Sequence, residues 1–247
     1  MDEPDSRTRL IVERCPNRQG ETDLSRGEAA HARARRLQRG DPVVLIDGTG
    51  TEARGTLLRL SREGAGVMVE EIRHGPDSPK RIALFVAGLK RERLSWIAEK
   101  ATELGASTLT VVATDRTQRF RATPELSQRL TRVAQEAAKQ CGSARWPAIS
   151  GPRDLEDVLS EEMDATRLVL DPKAPPFPSS LEAPLALLIG PEGGWTEKER
   201  AAAREKGWIG AALPAGLLRA ETAAIAALVL ARAALEAGKR KTENGQR

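Results

Sequence analysis

Apolar residues recur along this chain with two different periods, and the change of period divides it. Up to residue 75 they come in short runs: residues 9–13, 43–46, 53–60 and 66–72 are strand-like, with Asp47-Gly48-Thr49-Gly50 as a turn between the second and the third. Several short strands joined by tight turns predict a small β-barrel. Gly75-Pro76-Asp77-Ser78-Pro79 is a cluster of chain breakers. The sequence therefore predicts a first domain over residues 1–75, a linker over 76–80 and a second domain over 81–247. In the second domain residues 82–87 form a continuous apolar strand, Leu94, Ile97, Ala98, Ala101 and Leu104 mark one face of a helix, and residues 108–113 are strand again. Residues 124–140 read as a helix, 168–170, 185–189 and 209–213 as strands, and 221–237 as an alanine-rich closing helix. Uniformly apolar strands alternating with helices predict an α/β fold whose parallel sheet is covered on both faces.

Composition narrows the class. The chain has 247 residues, 40% hydrophobic and 30% charged, which suits a globular protein with ample length to bury a core. No apolar run reaches membrane-spanning length, and Met1-Asp2-Glu3-Pro4-Asp5 is acidic where a signal peptide is basic and then apolar, so the expected location is the cytoplasm. Cys15 and Cys141 have no neighbouring Cys/His cluster, which argues against a metal site or a disulfide scaffold, and both are expected to be buried thiols.

A net charge of +4 and a pI near 9.3 favour a polyanionic partner, and the placement of the charges matters more than their sum. Residues 26–39 carry His31, Arg33, Arg35, Arg36 and Arg39 on a short helix, and no lysine occurs before Lys80. Arginine suits planar, bidentate phosphate contacts, although a solvated face has the same composition. Lys90, Arg91 and Arg93 open the first helix of the second domain, and Arg116, Arg119 and Arg121 surround Phe120 after its second strand. That loop falls at the carboxyl end of a strand, the ligand edge of open α/β sheets. Arginines around an aromatic either hold an RNA backbone and stack a base, or form a solvated loop. The candidate RNA contacts are His31, Arg33, Arg36, Lys90, Arg91, Arg116, Arg119 and Arg121. Trp146 and Trp208 read as packing residues, and Trp195 fits either role.

The chemistry concentrates in Leu187-Leu188-Ile189-Gly190-Pro191-Glu192-Gly193-Gly194-Trp195 and in Leu217-Leu218-Arg219-Ala220-Glu221-Thr222-Ala223. A buried strand runs into glycines, which let backbone groups approach a ligand. A phosphate cradle fits poorly: Pro191 removes a donor, Glu192 repels an anion and no Lys-Ser/Thr pair follows. A nucleoside carrying positive charge fits better. No Gly-x-Gly-x-x-Gly follows the first strand of the second domain, so a Rossmann dinucleotide site lacks its fingerprint. Thr196 and Glu199 read as a capping box that starts a helix.

These two segments resemble the paired C-terminal signatures of the SPOUT methyltransferases, and among them the 16S ribosomal RNA uracil-N3 methyltransferases. Gly190 to Gly194 and Leu218 to Ala223 match position by position, and Lys100-Ala101-Thr102-Glu103-Leu104-Gly105 and the Gln140, Arg145-Trp146-Pro147 region agree as well. The chain departs from the pattern at Pro214 and Gly216, where the family usually carries a glycine and an arginine, and at Lys139, where it commonly has glutamate. The resemblance implies a C-terminal SPOUT domain with a parallel sheet and a trefoil knot, preceded by a small PUA-like β-barrel in which His31 and Arg36 fall where relatives often have a histidine and an arginine. It also implies S-adenosylmethionine as cofactor, 16S rRNA within the small ribosomal subunit as partner, a homodimer, and no metal. The cofactor residues it points to are Leu170, Ile189, Gly190, Pro191, Glu192, Gly193, Gly194, Leu213, Leu217, Leu218 and Thr222. A ribose 2′-O-methyltransferase of the same fold, or a noncatalytic RNA-binding assembly factor, remains an alternative.

Methyl transfer to uracil N3 needs alignment of donor and acceptor and stabilisation of the anion left when the N3 proton departs. Arg219 is the expected stabiliser and Glu221 the second catalytic candidate, orienting Arg219, capping the helix it opens, or accepting the proton. Thr222 would bond cofactor or backbone, and a purely structural network at the helix start is the competing reading. The last helix is apolar nearly all round, which predicts a partner copy packed over it beside Leu94 and Ile97.

Overall fold

A computed structural model describes residues 7–75, 82–117 and 124–245. The backbone separates into two units, Met1–Asp77 with Gln135–Trp146, and Ser78–Ala134 with Pro147–Arg247. The segment 76–80 expected as linker lies outside the described residues. Gln135–Trp146 groups with the N-terminal unit for local reasons. Arg145 forms backbone bridges with Gly48 and Thr49, and the Gly50 N–H donates to the Ala144 carbonyl at 3.1 Å. Lys139 lies nearly buried between Glu28 at 3.7 Å and Glu136 at 2.7 Å, so its departure from the family pattern is matched by acidic partners.

The N-terminal unit contains β1 (Thr8–Ile11), β2 (Gly20–Leu24), α1 (Arg26–Ala34), β3 (Pro42–Ile46), β4 (Thr51–Leu60) and β5 (Ala65–His74). They form a five-stranded sheet of order β1-β3-β4-β5-β2, parallel only between β1 and β3. Leu10, Leu24, Ala29, Ala32, Val43, Leu45, Leu57, Val67 and Val69 make its core. Sequence periodicity misses β2 because Gly-Glu-Thr-Asp-Leu buries only Leu24; antiparallel pairing with β5 holds it. Ser25 caps α1 by accepting from the Glu28 N–H at 3.2 Å. The helix ends at Ala34, earlier than expected, because Arg36 takes φ 60° and turns the chain. Cys15 is buried, and burial together with the Asp47 carboxylate pushes its thiol up to about 12. Cys141, expected to be buried as well, is exposed because it ends a helix (α3, below) on its solvent side.

The second unit follows with β6 (Ile82–Ala87), α2 (Arg91–Glu103), β7 (Thr108–Ala113), α3 (Pro124–Cys141), β8 (Ala148–Asp154), α4 (Leu155–Ser160), β9 (Thr166–Leu170), β10 (Leu185–Ile189), α5 (Glu197–Glu205), β11 (Ile209–Ala211) and α6 (Ala220–Gly245). All six strands are parallel, in the order β11-β9-β10-β6-β7-β8. Alternate residues of each central strand enter different cores, as the period of two dictates. Leu84, Val86, Leu187 and Ile189 join α2 and α6 on one face, while Phe85, Ala186 and Leu188 join Trp195, Ala203 and Trp208 on the other. Leu94 and Ile97, expected at a partner interface, are fully buried in the first of these cores, because their spacing turns them toward the protein's own sheet.

The strand order positions the site. The chain runs outward from β6 through β7 to β8 and then returns to place β9, β10 and β11 on the other side of β6. The direction of winding therefore reverses between β6 and β10, and a crevice opens at the carboxyl ends of strands where this happens. The loop that leaves β10 there is the glycine-rich one. Among the described residues no helix is long and apolar enough to cross a membrane.

Candidate active site

Contacts within the protein account for each glycine of the loop after β10. A Cβ on Gly190 would meet the Trp195 ring at 2.8 Å. That ring is 4% exposed, and its Nε1–H donates to the Leu170 carbonyl at 2.9 Å, tying the loop to the end of β9. A Cβ on Gly193 would lie 2.9 Å from Cδ of Arg116, whose side chain rests on the loop. Gly194 has φ +69°, a backbone conformation costly to any L side chain, and its N–H closes the turn onto the Pro191 carbonyl at 2.8 Å. The expected capping box is present: Thr196 and Glu199 exchange side-chain and backbone hydrogen bonds at the start of α5.

Beside this loop lies a cavity of about 370 Å³, within the usual range of small-molecule sites. It brings together ten of the eleven residues expected to bind a cofactor: Leu170, Ile189, Gly190, Pro191, Glu192, Gly193, Gly194, Leu213, Leu217 and Leu218. Thr222 is not on its wall; it is exposed on α6. Leu217 is 90% exposed, so it lines the cavity from its solvent-facing rim. Sequence reasoning missed Asp171, Lys173 and Arg200, which also line the cavity, as does Trp195, which the sequence left between packing and a ligand role. Asp171 directly follows β9, at the ligand edge of the sheet, and that position is the signal available in the sequence. Burial opposes ionisation of Asp171, but the Arg200 guanidinium at 2.5 Å and the Lys173 N–H at 3.0 Å outweigh it and hold its carboxyl below the ordinary range. Gly216, one of the departures from the family pattern, faces open space, and a Cβ there meets nothing within 4 Å.

The catalytic candidates stand at the start of α6 and do not line the cavity. Arg219 is exposed. Glu221 is 8% exposed and pairs with Arg93 of α2 at 3.5 Å, where the sequence suggested Arg219 as its partner. Its Oε2 is buried without a hydrogen bond. Arg93 also pairs with Glu192, so one guanidinium joins the glycine loop to the start of α6. Glu192 is therefore charge-matched within the protein rather than a lone anion beside the cavity.

Known proteins resemble this chain in sequence and in fold. A family model described as an RNA methyltransferase domain matches residues 76–232. The ribosomal RNA small subunit methyltransferase E of Synechocystis sp. is 32% identical over 213 residues, which cover 83% of this chain and 70% of the relative. The chain belongs to the ribosomal RNA small subunit methyltransferase E family. The enzyme of that name from Bacillus subtilis is 25% identical over 224 residues, covering 82% of this chain and 86% of the relative. Among solved structures, a putative methyltransferase from Legionella pneumophila, in complex with the cofactor SAM, has a TM-score of 0.82 at 26% identity, covering 92% of this chain and 98% of the other. The methyltransferase E of Neisseria gonorrhoeae, bound to S-adenosyl methionine, has a TM-score of 0.83 at 23% identity, with 90% and 95% covered, and shows the shared fold.

The cationic residues expected to contact RNA lie at several places in the structure. Lys90 and Arg91 are exposed at the start of α2. Arg116 donates to the carbonyls of Gly193 and Gly194 in the glycine loop. Arg119 and Arg121 lie outside the described residues. His31 is half-buried, and Arg33 and Arg36 are exposed, with Arg33 donating to the Ser61 carbonyl. Arg36 is the one non-glycine residue at positive φ among those described, a position that glycine fills without cost. Replacing Arg36 by glycine should leave the fold equally stable or more stable by up to about 1 kcal/mol, while weakening RNA binding. Urea melts and filter binding on the same variant check both halves, and unchanged RNA affinity would remove Arg36 from the interface.

Proposed function

We propose that the protein transfers a methyl group from S-adenosylmethionine to N3 of a uridine in 16S rRNA, in the cytoplasm and with the RNA within the small ribosomal subunit. The observation that carries this reading is the cavity at the β6/β10 reversal, walled by the glycine loop and flanked by the Arg219 segment. The residues present fit the cofactor: Leu170, Ile189, Leu213 and Leu218 offer apolar walls to a nucleoside, and the loop backbone offers polar groups at its edge. When bound, the cofactor supplies an electrophilic methyl group on a sulfonium. The protein's part is to align the acceptor and to stabilise charge on the uracil ring as N3 loses its proton, a task we assign to Arg219, with Glu221 held at the start of α6 by Arg93. His31, Arg33, Arg36, Lys90 and Arg91 are proposed to hold RNA.

Within this reading the second unit is a SPOUT domain with a trefoil knot and the first a PUA-like barrel. Nucleoside analysis of 16S rRNA from a strain lacking the gene tests the reaction: loss of 3-methyluridine supports it. Loss of a 2′-O-methylated nucleoside instead would establish the ribose-methylating alternative, and an unchanged nucleoside profile would favour an assembly factor.

We further infer a homodimer. On α6, exposed Thr222, Val229 and Ala233 alternate with half-buried Ile225 and Ala226 at helical spacing, and Trp96 is exposed on α2, which packs against α6. An apolar stripe of this kind suits a second copy of the chain. Val229→Arg should convert the dimer to monomer without unfolding it, as read by sedimentation. A wild-type monomer at micromolar concentration with full activity would end this reading.

A further inference from the structure

Arg116 has the composition of an RNA contact and the geometry of something else. It follows β7 in the short turn Asp115–Thr117, and its guanidinium Nη1 donates to the Gly193 carbonyl and, at 3.4 Å, to the Gly194 carbonyl. Its aliphatic stem lies so close to Gly193 that a Cβ there would sit 2.9 Å from Arg116 Cδ. The absence of a side chain at Gly193 thus admits an arginine of the protein itself.

The turn that carries Arg116 is fixed to the same loop by independent contacts. The Asp115 N–H donates to Glu199 Oε1 at 3.0 Å, and the Thr196 hydroxyl lies 3.3 Å from Asp115 Oδ2. Glu199 is 6% exposed and also accepts from the Thr196 N–H at 2.7 Å, so one buried carboxylate ties the β7 turn to the end of the glycine loop. Within the turn, the Thr114 N–H donates to Thr117 Oγ1 at 2.7 Å and the Thr117 N–H to the Thr114 carbonyl at 2.9 Å. The base of Arg116 is therefore held rigidly with respect to the carbonyls it reaches.

We propose that Arg116 is a positioning residue for the cofactor loop, holding the Gly193 and Gly194 peptides in the conformation that receives S-adenosylmethionine. A cation on a carbonyl polarises the peptide whose N–H continues the turn. The Gly193 carbonyl shares its peptide with the Gly194 N–H, which closes the turn onto Pro191 at 2.8 Å. The guanidinium thus strengthens the bond that keeps Gly194 at positive φ. This proposal rests on the cavity being the cofactor site.

Calorimetric titration of the full chain with S-adenosylmethionine, with RNA absent, separates this role from an RNA contact. Arg116→Ala should weaken cofactor binding on the order of tenfold, the loss expected for a charge-assisted hydrogen bond. Arg116→Lys should recover part of the loss, because an ammonium can still donate to the carbonyls, whereas Arg116→Met, which keeps the aliphatic stem without a donor, should not; recovery by methionine would overturn the hydrogen-bonding role. Arg116 is exposed, so none of these variants removes core contacts. Leu213→Trp, which fills the cavity, serves as the control for the site itself. Unchanged cofactor affinity in Arg116→Ala alongside its loss in Leu213→Trp overturns the positioning role and leaves the cavity assignment standing. Retained affinity in Leu213→Trp overturns the cavity assignment and this proposal with it.

Discussion

Replacing Gly194 with valine should lower S-adenosylmethionine affinity on the order of 100-fold while the chain stays folded, from about 2–3 kcal/mol of backbone strain. The argument is conformational. Gly194 sits at φ +69°, where a β-branched residue is a true outlier. Space is not the obstacle, since the nearest atom to a Cβ there is Arg116 Nη1 at 3.9 Å. Valine would relieve its strain by turning the peptide, which breaks the Gly194 N–H bond to Pro191 and moves the carbonyl that Arg116 approaches. The loop lies beyond the end of β10 and the buried sheet is untouched, so the cost falls on the binding conformation rather than on the fold. Gly193→Ala should be milder, on the scale of Arg116→Ala, because it displaces the Arg116 side chain rather than the backbone, and Gly216→Ala, whose Cβ meets nothing within 4 Å at the cavity wall, should change affinity least. Calorimetry on the three variants ranks them. An unchanged isotherm for Gly194→Val in a folded protein would show that this loop is not the site.

Where the sequence was informative, physics acted locally. β6, β7 and β10 are continuous apolar runs and appear over the expected residues, 82–87, 108–113 and 185–189, because strands buried on both faces have no other composition available. The Thr196-Glu199 box forms because its bonds span one helical turn. β8 (Ala148–Asp154) was not legible: it is an edge strand with no fully buried residue, and Gly151-Pro152 interrupts its pattern where its register with β7 shifts. Partners distant in sequence were equally hidden. Nothing in the residues around Arg93 announces that it meets both Glu192 and Glu221, or that Arg116 lies on Gly193; such pairings exist only once the sheet has brought the ends of β6, β7 and β10 together. The glycines were legible as a loop that needs close approach, yet Gly190 and Gly193 are approached by Trp195 and Arg116 of the protein itself.

Arg219→Ala should reduce kcat on the order of 100- to 1,000-fold, the cost of removing a donor that stabilises developing negative charge, with cofactor affinity unchanged. Arg219 is exposed and does not line the cavity, so its loss leaves the cofactor's walls intact. It precedes the first turn of α6, where the positive end of the helix dipole adds to its own charge. Glu221, two residues on, pairs with Arg93 at 3.5 Å, so the carboxylate nearest in sequence is already engaged by another cation. A cation in this position lowers the pKa of uracil N3 in the bound substrate, and its removal should displace the pH–rate profile toward alkaline pH as well as lower the rate. Arg219→Lys keeps the charge but not the planar donor fork, and should fall between the two. The pH displacement is the decisive readout, because a residue needed only to start the helix would change stability and leave the profile where it is. A folded, cofactor-binding Arg219→Ala protein with wild-type kcat and an unmoved profile would take Arg219 out of the reaction and leave α6 with a structural role.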